Sequence, residues 1–106
     1  MSSQSFTVDE LATQSEEGYR EFLRRPGMSL GLYRLPVDSA DHQHPHASDE
    51  VYIVHRGRAQ LAVEGTEIPV GPGSVISVDP GREHHFTKIT LDLEIVVVFA
   101  PPEVPE

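Results

Sequence analysis

The sequence predicts an all-β fold, a small antiparallel sandwich or barrel, on three observations. Short apolar stretches recur at close, even spacing from Tyr19 to the end of the chain. Gly, Pro and Asp clusters punctuate them. Helical periodicity is nearly absent, which together with the first two features is the signature of an antiparallel β-domain.

Each element follows from local chemistry. Thr7 and Glu10 stand at capping-box spacing, so residues 1–17 are expected to be a weakly structured segment holding at most a short helix, Val8 to Gln14. Tyr19 to Leu23 and Met28 to Leu35 read as strands joined through Arg25-Pro26-Gly27, a natural turn. Glu50 to Arg56 and Arg58 to Val63 are separated only by Gly57, and Glu64-Gly65 turns the chain into Thr66–Val70. Gly71-Pro72-Gly73 precedes a strand at Ser74–Val78, and Asp79-Pro80-Gly81 follows it. His84 to Ile89 and Leu91 to Ala100 bring the total to seven or eight strands. The run Ile95-Val96-Val97-Val98-Phe99 is apolar on both faces, so one face should meet the interior and the other a second sheet or subunit. Prolines at 101, 102 and 105 cannot continue a ladder, and residues 102–106 are expected to fray. The barrel proper is therefore predicted over 18–101.

Bulk properties narrow the function. A chain of 106 residues is one domain. At this size folding buries roughly two-thirds of the accessible surface. With only 38% apolar residues, help from a metal or a partner subunit is expected. Seventeen acidic residues against eight basic ones give a net charge of -9, which repels nucleic acids and anionic membrane faces. The absence of cysteine excludes disulfides, thiolate metal sites and a cysteine nucleophile. No apolar run approaches the roughly 20 residues that span a bilayer, and the N-terminus lacks the pattern of a secretory signal. A cytoplasmic protein is the expectation.

Chemistry concentrates in the histidines. One cluster is His42-Gln43-His44-Pro45-His46, with Glu50 shortly after; the other is His84-His85. In an extended segment alternate residues share a side, so His44 and His46 can converge on one ion. Glu50 can return a carboxylate to that point from the start of the next strand, and His84 can complete the set from across the barrel. Three imidazoles and a carboxylate suit one divalent ion of the borderline group, Fe, Mn, Ni, Co, Cu or Zn. His42 reads as a surface residue, and His55 and His85 should face outward. Tyr52 and Val54 share the face of Glu50, and Phe86 and Lys88 that of His84, so these four are candidates for the substrate pocket. Arg34 competes with Tyr33 and Leu35 for the inward face.

The spacing His44-x-His46-x3-Glu50-x6-Gly57 resembles the first motif of the cupin superfamily. Gly73-x5-Asp79-Pro80-Gly81-x2-His84 resembles the second. The likeness runs from about Met28 to Pro101 and is closest to small single-domain bacterial cupins. Three departures stand out. Asp38 occupies the place of a glycine, Pro80 lies one position late, and Lys88 replaces a frequent asparagine. The resemblance implies a double-stranded β-helix (jelly-roll barrel) with His44, His46, Glu50 and His84 as metal ligands and Glu50 also as a catalytic base. It further implies a metal-dependent enzyme acting on a small organic molecule. Dioxygenase-type chemistry is the first expectation, with a metal-dependent isomerase or lyase, or a non-catalytic ligand-binding sensor, as the alternatives. The two-faced last strand and the open edge of a small barrel predict a homodimer, which sedimentation checks.

Overall fold

Alternating side-chain directions build this molecule, and six strands suffice where seven or eight were expected. The computed structural model describes residues 3–103. A short helix, α1 (Val8–Thr13), precedes β1 (Gly18–Arg25), β2 (Met28–Leu35), β3 (Asp49–Val63), β4 (Thr66–Val70), β5 (Val75–Val78) and β6 (His84–Ala100). All pairings are antiparallel. The strand order is β1-β2-β6-β3-β4, and β5 pairs with the first half of β3. This β-rich arrangement is a jelly-roll barrel.

The strand count fell because the breaks expected at Gly57 and Thr90 fall inside two long strands with shifted register. Gly57 lies within β3 with φ +102°, and a Cβ there would meet Leu93 Cα at 2.7 Å and the Asp92 carbonyl oxygen still closer. Only glycine lets β3 and β6 approach so nearly. Their register shifts three times between Val54 and Gln60. Across the bulge the inward set changes phase, from Glu50, Tyr52 and Val54 to Ala59 and Leu61. Lys88, with φ +50°, does the same in β6: the inward residues are His84 and Phe86 before it and Ile89, Leu93, Ile95, Val97 and Phe99 after it. A bulge bends a strand and raises its twist, which allows one strand to serve both walls of a barrel.

The core is one cluster around Tyr52, Val54, Leu61, Phe86, Ile89, Leu93 and Ile95. Outside, Thr7 caps α1 by accepting from Glu10 N at 3.3 Å, as its spacing predicted. The helix lies against β2 and buries Leu11. Val96 and Val98 on the outer side of β6 are half-buried, with Ile53 and Val75 exposed nearby in the sheet. No helix among the described residues is long and apolar enough to cross a membrane.

The expected fraying of 102–106 is corrected at its first residues. Glu103 N donates to the fully buried Ser29 hydroxyl at 3.0 Å, and Arg24 Nη1 donates to the Glu103 carbonyl at 3.1 Å. The rest of that prediction, 104–106, lies outside the described residues.

Candidate metal centre

Three donors meet where the first half of β3, the start of β6 and the loop between β2 and β3 come together. Glu50 is on β3, His84 opens β6, and His46 is on the loop, and one ligating atom from each lies within 4.8 Å of the others. Glu50 and His84 are each only 2% exposed. Burying a carboxylate so completely is costly unless something pairs with it. His84 Nε2 lies 2.9 Å from Glu50 Oε1, yet the contact lacks hydrogen-bond geometry. Both Glu50 oxygens and His84 Nε2 are left without a hydrogen-bond partner.

The far side of His84 explains which of its nitrogens is offered. Nδ1 lies 2.8 Å from the Arg82 carbonyl, which can only accept, so the proton sits on Nδ1 and the Nε2 lone pair points at Glu50. This is the arrangement of a metal-ligating histidine whose second nitrogen is held by a backbone carbonyl. Burial alone would lower the His84 pKa, but the adjacent Glu50 carboxylate and the hydrogen bond to the Arg82 carbonyl raise it. A cation is therefore favoured at this point, whether a proton or a metal ion. An orphaned buried imidazole nitrogen and carboxylate, with the His46 imidazole beside them, fit a borderline divalent ion.

His44 does not join the group. It is exposed, and the loop from residue 36 to 48 pairs with no strand, so nothing imposes period-two alternation there. Gln43 turns inward instead and accepts from the Tyr52 hydroxyl at 2.8 Å. Gln43 Nε2 donates to Asp41 Oδ2 at 2.6 Å, and the same oxygen accepts from Phe86 N at 2.8 Å. The Tyr33 hydroxyl donates to Asp41 Oδ1. Asp41 thus ties the loop to β2 and β6. Asp38, standing where the family has glycine, adopts φ +61°, a conformation that aspartate tolerates better than most residues. The loop is also clamped from β5's side, where Gly81 N donates to the His46 carbonyl at 2.8 Å.

A cleft of about 480 Å³ opens beside the donors. Glu50 and His46 reach its floor, and Tyr19, Tyr33, Val97 and Phe99 form its walls. The expected pocket residues are elsewhere. Tyr52, Val54 and Phe86 point inward as predicted, but they belong to the sealed core and do not line the cleft. Lys88 is corrected outright: its positive φ rotates it outward, where Nζ pairs with Glu67 at 2.9 Å. Arg34 stands at the cleft rim and donates to the Ser15 carbonyl at 2.6 Å, while Tyr33 and Leu35 take the inward side. His42 is exposed at the cleft mouth. His55 pairs with Asp9 on the outer surface and His85 is exposed, as alternation predicts.

Several site residues escaped sequence reasoning. Tyr33 was weighed only as a competitor of Arg34 for the inward face, not as a residue of the cleft it lines. Gln43, Asp41 and Glu103 carry no sequence signal, because they lie in segments without regular periodicity. Burial pushes the phenols of Tyr33 and Tyr52 up, aided by the Asp41 hydrogen bond in the first case and the charge of Glu50 in the second. Both remain protonated donors.

Comparison with known proteins agrees with this geometry. Residues 31–99 match the family described as the cupin domain. An uncharacterized protein of Streptomyces coelicolor is 44% identical over 102 residues, covering 93% of this chain and 97% of its own. L-ectoine synthase of Desulfatibacillum aliphaticivorans is 28% identical over 87 residues, 78% of this chain and 66% of that enzyme. Among solved structures, a Bacillus halodurans protein superposes with a TM-score of 0.81 at 17% identity, over 97% of this chain and 84% of the other.

Proposed function

The chain belongs to the cupin domain family, and on that premise we propose that it is a metal-dependent enzyme acting on a small organic molecule in the cleft beside His46, Glu50 and His84. One observation carries the reading: three donors converge, two of them, His46 and Glu50, line the cleft, and the two on strands are deeply buried with ligating atoms that nothing among the described residues satisfies. A structural centre would be closed by its own ligands, whereas this one opens onto about 480 Å³ of space.

A bound ion would supply Lewis acidity and a template for a substrate oxygen. The residues of the chain account for the rest. His84, with its proton held by Arg82, presents a fixed lone pair. Glu50 offers two unpartnered oxygens and borders the cleft, so one can ligate while the other accepts a proton from substrate. Phe99, Val97 and the ring of Tyr19 displace water from the bound molecule, which strengthens polar interactions inside. The hydroxyl of Tyr33 is committed to Asp41 and serves to hold the wall.

Two histidines and one carboxylate with open positions is the ligand set of non-haem iron(II) oxygenases, so oxygen chemistry is the first choice of reaction. A redox-free reaction of lyase or isomerase type, which would use the same ligands, is the second. Elemental analysis of gently purified protein tests the shared premise. About one equivalent of Fe, Mn, Ni, Co, Cu or Zn is expected, and it should be lost in a His46→Ala/Glu50→Ala double variant. No metal in either protein, with no uptake on anaerobic reconstitution, would overturn the enzyme reading and leave a ligand-binding module.

A further inference from the structure

The segment after β6 turns back across β1 and β2 and brings a carboxylate to His46. Residue 103 is held at both peptide groups, its N–H on the fully buried Ser29 hydroxyl and its carbonyl by Arg24. Those anchors set the side chain in the cleft, with Glu103 Oε1 3.5 Å from His46 Nδ1. Glu103 is not one of the three residues whose ligating atoms converge. It therefore meets His46 at Nδ1 without being one of the converging donors. The His46 ring is steadied on another side by Phe99, edge to face at a centroid distance of 4.9 Å.

We propose that Glu103 is a positioning residue for the metal centre: its carboxylate accepts from Nδ1–H of His46 and so turns the Nε2 lone pair toward Glu50 and His84. The inference rests on the metal-binding reading of the site given above. A loop histidine needs such help more than a strand histidine does. His84 is oriented by the β6 backbone and the Arg82 carbonyl, whereas the loop carrying His46 belongs to no ladder. The contact at 3.5 Å closes to a hydrogen bond with a small movement of either side chain, and bonds of this kind tighten when the site is loaded. A carboxylate behind a ligating imidazole selects its tautomer and raises its basicity, and removing such a partner costs on the order of 10–100-fold in metal affinity.

The test compares wild type with Glu103→Ala, Glu103→Gln and Glu50→Ala, using Co(II) as the probe. Thermal unfolding of the metal-free proteins confirms that each variant folds. Glu103→Ala should bind Co(II) at least about tenfold more weakly than wild type. Glu103→Gln, which retains an accepting oxygen, should fall between them. In the metal-free protein at a pH where the ring is neutral, 15N shifts should report His46 mainly as the Nδ1–H tautomer. In Glu103→Ala that population should fall, a change that loss of a packing contact alone does not produce. Co(II) binding abolished in Glu50→Ala but within about twofold of wild type in Glu103→Ala overturns the inference and leaves the metal centre standing. An unchanged tautomer balance overturns it as well. Failure of wild type to bind Co(II) overturns both readings together.

Discussion

Two regions of the barrel bring aromatic side chains to the same three donors, and they do opposite things. On one side Tyr52 and Phe86 pack at a centroid distance of 5.0 Å, with Tyr52 5.9 Å from the ring of His84, and all are buried. On the other, Tyr19, Tyr33 and Phe99 stand around an open cleft, with Tyr19 38% exposed. The sealed side fixes where Glu50 and His84 point; the open side decides what can reach them. The seam between them is where the buried donor set can also be approached. Gly31 marks the open side in the sequence of β2, since a side chain there would collide with the phenol of Tyr19.

Substitutions on the two sides should separate stability from binding. Phe86→Ala leaves a void in a closed core and should cost about 3–5 kcal/mol. Tyr19→Ala removes a partly exposed wall and should cost roughly 1 kcal/mol, while enlarging the cleft. Denaturant titration of the two variants measures the contrast. Equal costs would mean that the cleft wall is as much a part of the core as Phe86, and the division drawn here would fail.

The sealed side was also the legible one. Thr66–Val70 occupies the residues predicted for it, as does Met28–Leu35 on the cleft side, because period-two patterning bounded by turn residues leaves little choice. The inward direction of Glu50, Tyr52, Val54, His84 and Phe86 followed from the same rule. It failed at Lys88, where a left-handed residue resets the phase, and at Gly57, where a glycine read as a break proved to be a close approach between strands. It failed again at His44, because alternation is enforced by ladder hydrogen bonds and the loop before β3 has none. The open side is assembled from that loop, from β1 and from the segment carrying Glu103. Those pieces meet only through tertiary contacts, which no local pattern encodes.

The donors on the seam make a pH prediction whose sign depends on loading. In the metal-free protein the His84 pKa is raised above 6.5, because the favourable effect of Glu50 and the Arg82 carbonyl outweighs burial. The folded state then binds the proton more tightly than the unfolded chain does. The resulting stability is fully present below about pH 6.5 and is lost as pH rises through the folded value. With a divalent ion in place the proton becomes a competitor, so the stabilisation due to metal should weaken as pH falls through the same range. Thermal unfolding across pH 6 to 9, with and without Co(II), should therefore give opposite slopes. Glu50→Gln should flatten the metal-free slope by removing the charge that favours imidazolium. Parallel slopes with and without the ion would dissociate the buried pair from metal binding.

The smallest effect expected is at the residue whose position departed furthest from its predicted role. Lys88 stands in sequence two residues after Phe86 and four after His84, and strict alternation would aim it into the site. Its backbone, at φ +50°, aims it at Glu67 on the surface, where the ion pair is well exposed on both sides. Exposed pairs contribute about 0–1 kcal/mol. Lys88→Ala should therefore change stability by no more than about 1 kcal/mol and leave Co(II) affinity unaltered. Lys88→Gly probes the backbone instead. Glycine adopts the left-handed region without the strain that a side chain incurs there, so this variant should be at least as stable as Lys88→Ala. If Lys88→Gly were the less stable of the two, the phase change in β6 would not depend on a left-handed residue at position 88. The separation between the strand half that carries His84 and the half that lines the cleft would then need another cause.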